Sequence, residues 1–185
     1  MKINEALDEA NLILKKNLIK SAKLDSEILM AEVIQKDRKY IILNLGENLK
    51  PKIYKNFQYL IEQRSKGKPI AYLLGKKDFW KYEFKVGDNI LIPRPDTEII
   101  IDQILGITKF KSKLNILDIG VGSGCILLSI LKEKKNFYGT GIDISKKCTD
   151  IAKINAFNLG LLNRVRFFKS DVDNFNYGKY DLIIS

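Results

Sequence analysis

Residues Asn115 to Ile130 read NILDIGVGSGCILLSI. Leu114 to Asp118, with Leu114, Ile116 and Leu117 apolar, reads as a short strand. Gly120, Gly122 and Gly124 follow at two-residue intervals, and Cys125 to Leu131 then reads as a buried helix. Glycines so placed between a strand and a helix serve a turn with unusual dihedral angles, or a ligand packed against bare backbone. The helix start behind them offers backbone N–H groups to an anion or a carboxylate.

The chain repeats this unit on the carboxyl side. Phe137 to Asp143 predicts a second strand, Lys146 to Leu159 a helix with Cys148, Ala152 and Leu159 inward, Val165 to Phe168 a third strand and Tyr180 to Ser185 a fourth. Strand–helix alternation predicts an α/β fold, a parallel sheet with helices on both faces. Two more acids stand at strand ends. Asp143 closes the second strand in GTGIDIS, and Asp171 follows the third in FFKSDV. An acid ~20 residues beyond a glycine loop suits a ribose diol; the other reading of Asp143 is a cap on the next helix, and of Asp171 an ordinary loop aspartate.

Toward the amino end, Asp96 predicts the cap of a helix holding Glu98, Ile99, Ile100, Ile104 and Leu105. Trp80, Tyr82, Phe84 and Val86 alternate with Lys81, Glu83 and Lys85. With the turn signal Gly87-Asp88-Asn89 and the return run Ile90 to Ile92, this predicts a β-hairpin over 78–92 within a linker over 76–95. Residues 1–75 predict a small helical bundle. Ile3, Leu7, Ala10 and Leu14 share one helical face, a second helix starts with Asp25 as N-cap, a short one covers Arg38 to Leu45, and one begins at Pro51. Residues 96–185 form the sheet domain.

Composition removes whole classes of chemistry. There is no histidine, so no imidazole base, Ser-His-Asp triad or histidine-ligated metal exists in these residues. The two cysteines, Cys125 and Cys148, have no metal-ligand spacing, which fits a reducing cytoplasmic setting. No apolar run nears the ~20 residues of a bilayer span. The net charge of +10 fits an acidic partner or a lysine-rich composition; the basic clusters are short and lack interleaved aromatics.

The loop departs from the dinucleotide fingerprint G-x-G-x-x-G, since Cys125 takes the last glycine's place and Asp118 precedes the first glycine by two residues. In both respects it resembles motif I of class I S-adenosylmethionine methyltransferases. Residues 63–98, QRSKGKPIAYLLGKKDFWKYEFKVGDNILIPRPDTE, are more specific. Arg64, Gly67, Pro69, Gly75, Phe79 and Leu91 through Glu98 resemble the linker of the release-factor glutamine N(5)-methyltransferases. The resemblance runs over the whole chain.

It implies a Rossmann-like sheet behind a release-factor-recognising helical domain, and S-adenosyl-L-methionine as cofactor. It sets Asp118, Gly120, Val121, Gly122, Ser123 and Gly124, with Asp143, Asp171 and Val172, against that cofactor. It puts Arg94, Thr97 and Glu98 at the border of the cleft, where a rigid connector would explain the prolines alone. The implied reaction is methyl transfer to the glutamine amide of a peptide-chain release factor, with no metal. The family's strand at Tyr180 to Ser185 runs on into Asn-Pro-Pro-Tyr. The resemblance therefore implies strands one to four of seven, no catalytic residue among 1–185, and a chain inactive without the tetrapeptide. The alternatives are an adenine or cytosine amino-methyltransferase, which shares that tetrapeptide, and a non-catalytic fragment.

Overall fold

The computed structural model describes residues 1–185, which form two compact units, Met1–Leu74 and Gly75–Ser185. The first holds α1 (Ile3–Lys16), α2 (Ala22–Ile34), α3 (Arg38–Leu43), α4 (Pro51–Ser65) and α5 (Ile70–Leu74). Ile3, Ala6, Ala10 and Leu14 of α1 pack with Leu29 and Met30 of α2 and Phe57 and Ile61 of α4. Pro51 opens α4, where its missing N–H costs nothing. Asp37 caps α3 by accepting the Tyr40 N–H at 2.7 Å.

Asp25 is not the N-cap its sequence context predicts. The helix already starts at Ala22, and Asp25 lies 5% exposed inside its first turn. Its Oδ2 accepts from Arg64 Nε at 2.7 Å and from the Ser21 hydroxyl at 2.9 Å. A distant arginine has claimed the carboxylate that local pattern assigns to a cap.

The second unit opens with β1 (Lys76–Phe79) and β2 (Tyr82–Lys85), antiparallel, with Phe79 opposite Tyr82. This differs from the predicted hairpin over 78–92. The turn falls at Trp80, whose φ of 58° breaks the alternating run, and Ile90 to Ile92 form no strand. Tertiary bonds hold that left-handed residue. The Trp80 N–H donates to Glu98 Oε1 at 2.9 Å, and the Trp80 indole, Lys81 ammonium and Tyr82 hydroxyl all donate to Glu133 Oε1. Phe79 and Phe84 meet edge to face at 6.2 Å in the core.

A 3-10 turn (Pro95–Thr97) leads into α6 (Glu98–Ile107). Asp96 thus lies inside the 3-10 turn, and the predicted cap at Asp96 is replaced by Thr97. The sheet then alternates: β3 (Asn115–Ile119), α7 (Cys125–Glu133), β4 (Tyr138–Asp143), α8 (Lys146–Asn158), β5 (Val165–Lys169) and β6 (Leu182–Ile184). All pairings are parallel, in the order β5-β4-β3-β6.

Helices on both faces were expected; α6, α7 and α8 instead share one. Ile116, Val165 and Ile184 form a single core with Ile101, Ile104, Leu127, Leu131, Ala152 and Ala156. Strands β3, β4 and β5 advance in one direction, so right-handed crossovers put α7 and α8 on the same side. The chain reverses only from β5 to β6, through 170–181, where Phe175 and Tyr177 pack on Phe168 of the opposite face. The reversal sets a switch point between β3 and β6, whose carboxyl ends are where such sheets receive ligands. No helix is long and apolar enough to cross a membrane.

Candidate functional site

At the carboxyl end of β3 the chain enters the glycine loop. The N–H groups of Gly120 and Val121 both donate to the Ile142 carbonyl at 2.9 Å, stitching the loop to β4. The Gly124 N–H donates to the Val121 carbonyl at 2.8 Å and closes the turn. Gly120, Gly122 and Gly124 have φ of 75°, 55° and 80°, a region in which a side chain is strained. Their surroundings differ. A Cβ on Gly124 would lie 2.9 Å from Leu128 Cδ1 and 3.3 Å from Ala152 Cβ, so this glycine lets α7 and α8 close on the loop. A Cβ on Gly120 would meet no protein atom within 4 Å. The backbone at Gly120 therefore faces open space.

Asp143, at the end of β4, binds this loop directly. Its Oδ2 accepts the Gly122 N–H at 3.0 Å and its Oδ1 the Ser145 N–H at 2.8 Å. The cap of α8 is Ser145, whose hydroxyl accepts from Cys148 N. Asp143 is thus a loop ligand rather than a helix cap, and it remains half-buried at the sheet edge. Asp118 is 4% exposed beneath the loop. Burial pushes its carboxyl up to about 7, a Leu127 N–H pulls it back and the charge of Asp143 adds to the rise.

The third strand end is joined through backbone: Ser170 N donates to the Asp143 carbonyl at 3.0 Å. The neighbouring Asp171 is exposed, and both its oxygens take bonds from Asn174, which hold its carboxyl below the usual range. Val172 is 53% exposed. Val121 and Ser123 are buried within the loop. Arg94 is exposed, Thr97 half-buried, and Glu98 carries the Trp80 N–H; none of their hydrogen bonds reaches Gly120 to Gly124.

Two contributors escape a reading of the sequence. The Ile142 carbonyl, which takes two loop N–H groups, is a main-chain atom with no sequence signal. Asn155 is 1% exposed, on the inward stripe with Cys148, Ala152 and Ala156. A polar residue on an apolar helical stripe is a usable signal, because a buried amide must find partners.

A cavity of about 570 Å³ lies at the amino ends of the strands, away from this loop. Three of the cations lining it have partners: Arg164 donates to the Lys134 and Phe137 carbonyls, Arg166 to the Tyr177 hydroxyl, and Lys113 sits over the Tyr138 ring. The carboxyl edge is instead an open cradle, which gathers bare backbone, one exposed carboxylate face and one buried acid.

Known proteins share both units. Residues 5–75 match the PrmC N-terminal domain and residues 116–185 a methyltransferase domain. The release factor glutamine methyltransferase of Buchnera aphidicola subsp. Schizaphis graminum is 38% identical over 185 residues, 100% of this chain and 66% of that protein. The bifunctional methyltransferase of Rickettsia typhi is 34% identical over 202 residues, covering 99% of this chain and 39% of that protein. A solved SAM-dependent methyltransferase from Geobacter sulfurreducens, in complex with S-adenosyl-L-homocysteine, aligns with TM-score 0.42 at 27% identity, over 49% of this chain and 35% of that one. The chain thus spans two-fifths to two-thirds of the length of these curated relatives. A PrmC N-terminal domain followed by a methyltransferase domain, with this identity along the whole chain, means that the chain belongs to the release factor glutamine methyltransferase family.

Proposed function

We propose that the carboxyl edge of the sheet binds S-adenosyl-L-methionine, and that the chain serves methyl transfer to the glutamine side-chain amide of a peptide-chain release factor. The observation that carries the cofactor reading is the bond from Gly122 N–H to Asp143 Oδ2, which joins the glycine loop to the acid of the next strand. The residues fit the ligand. Open space at Gly120 admits a nucleoside or amino-acid tail against bare backbone. Each oxygen of Asp143 accepts one N–H, which leaves lone pairs for ribose hydroxyls. Val172, exposed on the turn after β5, supplies an apolar surface for a base. Asp171 would meet the base amino group only by sharing its bonds with Asn174.

The cofactor, when bound, supplies an electrophilic sulfonium methyl. An amide nitrogen is a weak nucleophile, because its lone pair is delocalised into the carbonyl. Alignment therefore carries most of the work, and a preformed loop contributes by lowering the ordering needed on binding. The helical unit Met1–Leu74 is assigned the docking of the release factor, which the matched domain and the names of the relatives support.

Calorimetric titration with S-adenosyl-L-homocysteine tests the cofactor reading. Charge-assisted bonds are worth about 1.5–3 kcal/mol each, so Asp143→Ala should weaken binding by roughly 10- to 100-fold. Equal affinity for both proteins would remove Asp143 from the site. Binding of a purified release factor, against duplex DNA at matched ionic strength, tests the partner; capture of DNA alone would reverse the assignment.

A further inference from the structure

We infer that Asn155 is a positioning residue of the cofactor loop, tying that loop to the β1–β2 hairpin through one side-chain amide; the inference rests on the cofactor reading above. Asn155 Oδ1 accepts the Lys85 N–H at 2.7 Å. Its Nδ2 donates to the Lys85 carbonyl at 3.0 Å and to the Ser123 carbonyl at 2.8 Å. The amide thus treats Lys85, the last residue of β2, as a strand neighbour would, and spends its other donor on the glycine loop.

The bond to Ser123 governs one peptide plane. The Ser123 carbonyl is held by Asn155, and the N–H of the same peptide, on Gly124, is held by the Val121 carbonyl at 2.8 Å. A plane fixed at both ends cannot flip, and a flip here would alter φ of Gly124, now 80°, and the entry into α7. Ser123 is 3% exposed, so without Asn155 its carbonyl would have little access to water and a strong incentive to turn. The open backbone at Gly120 lies in the same loop, three residues before Ser123. The hairpin is fastened independently, by Glu98 and by Glu133. Asn155 therefore transmits a hairpin position fixed elsewhere to the loop.

The test compares Asn155→Ala with Leu161→Ala, a truncation at a core residue 1% exposed, both well below their thermal midpoints. Hydrogen–deuterium exchange of the unliganded chain should show the amides of 120–125 exchanging roughly tenfold faster in Asn155→Ala, as for one lost bond to a buried carbonyl. The same amides in Leu161→Ala should keep wild-type rates at equal or greater loss of midpoint. Affinity for S-adenosyl-L-homocysteine should fall by a similar factor in Asn155→Ala alone. Wild-type loop protection in Asn155→Ala, or equal effects in the two variants, would overturn the positioning role. A wild-type chain that binds no S-adenosyl-L-homocysteine would overturn the cofactor reading, while the exchange comparison would still judge the tether.

Discussion

Gly124 and Gly120 share a left-handed backbone and differ in what surrounds them, so the same substitution should act mainly on stability at the first and mainly on ligand affinity at the second. At Gly124 an alanine carries about 1–2 kcal/mol of left-handed strain. It also places a methyl 2.9 Å from Leu128 Cδ1 and 3.3 Å from Ala152 Cβ. Leu128 and Ala152 are both 0% exposed, so the added methyl presses on packed core atoms rather than on solvent. Overpacking of this kind costs about 1–3 kcal/mol. The sum, about 2–5 kcal/mol, should lower the midpoint of the Gly75–Ser185 unit by roughly 8–20 °C. Gly120→Ala carries the strain alone, a drop of roughly 4–8 °C, yet puts a methyl where ligand is to lie. Circular dichroism melts with calorimetric titration of S-adenosyl-L-homocysteine separate the two. Gly124→Ala should melt lower, and Gly120→Ala should lose more affinity at a temperature where both are folded. If Gly124→Ala melted within ~2 °C of wild type, or if Gly120→Ala were the less stable, the packing role given to Gly124 would be wrong.

Other outcomes follow from the buried charges. Asp118 is held up to about 7, so between about pH 4 and 7 the folded chain keeps a proton the unfolded chain has released. Its contribution to stability is lost as pH rises through that window, and Asp118→Asn should raise the midpoint at about pH 8 while leaving it near wild type at about pH 4; a pH-independent difference would refute this. Glu133 is held below its usual range, by Lys81 first and then by Trp80 and Tyr82, against its burial. Its stabilisation is full above the ordinary carboxylate range and is lost as pH falls. Glu133→Ala should cost about 1–3 kcal/mol and shift the emission of Trp80, the only tryptophan, so an unchanged spectrum would count against the clamp. Asp25→Ala strands Arg64, whose side chain is 16% exposed, and should cost about 3–5 kcal/mol in denaturant unfolding. A cost below ~1 kcal/mol would mean the pair is no stronger than a surface bridge.

From β3 onward the sequence alone made the helices and strands legible, because period and glycine placement are local properties of the backbone. It marked Gly120 to Gly124, Asp118 and Asp143 as one constellation, since acids and glycines at successive strand ends must gather at one edge of a parallel sheet. What it could not contain is which group each side chain meets. Asp25 reads as a cap and is instead paired with Arg64, 39 positions away. Trp80 reads as mid-strand and is instead a left-handed turn, held by Glu98 and Glu133. The single helical face follows from strand order, which no local window encodes. Asp143 binding the Gly122 amide, and Asn155 joining Ser123 to Lys85, exist only once three separate segments have packed. Periodicity reports the conformation of a segment, whereas the partners of a buried polar group are chosen by long-range packing that must leave none of them unpaired.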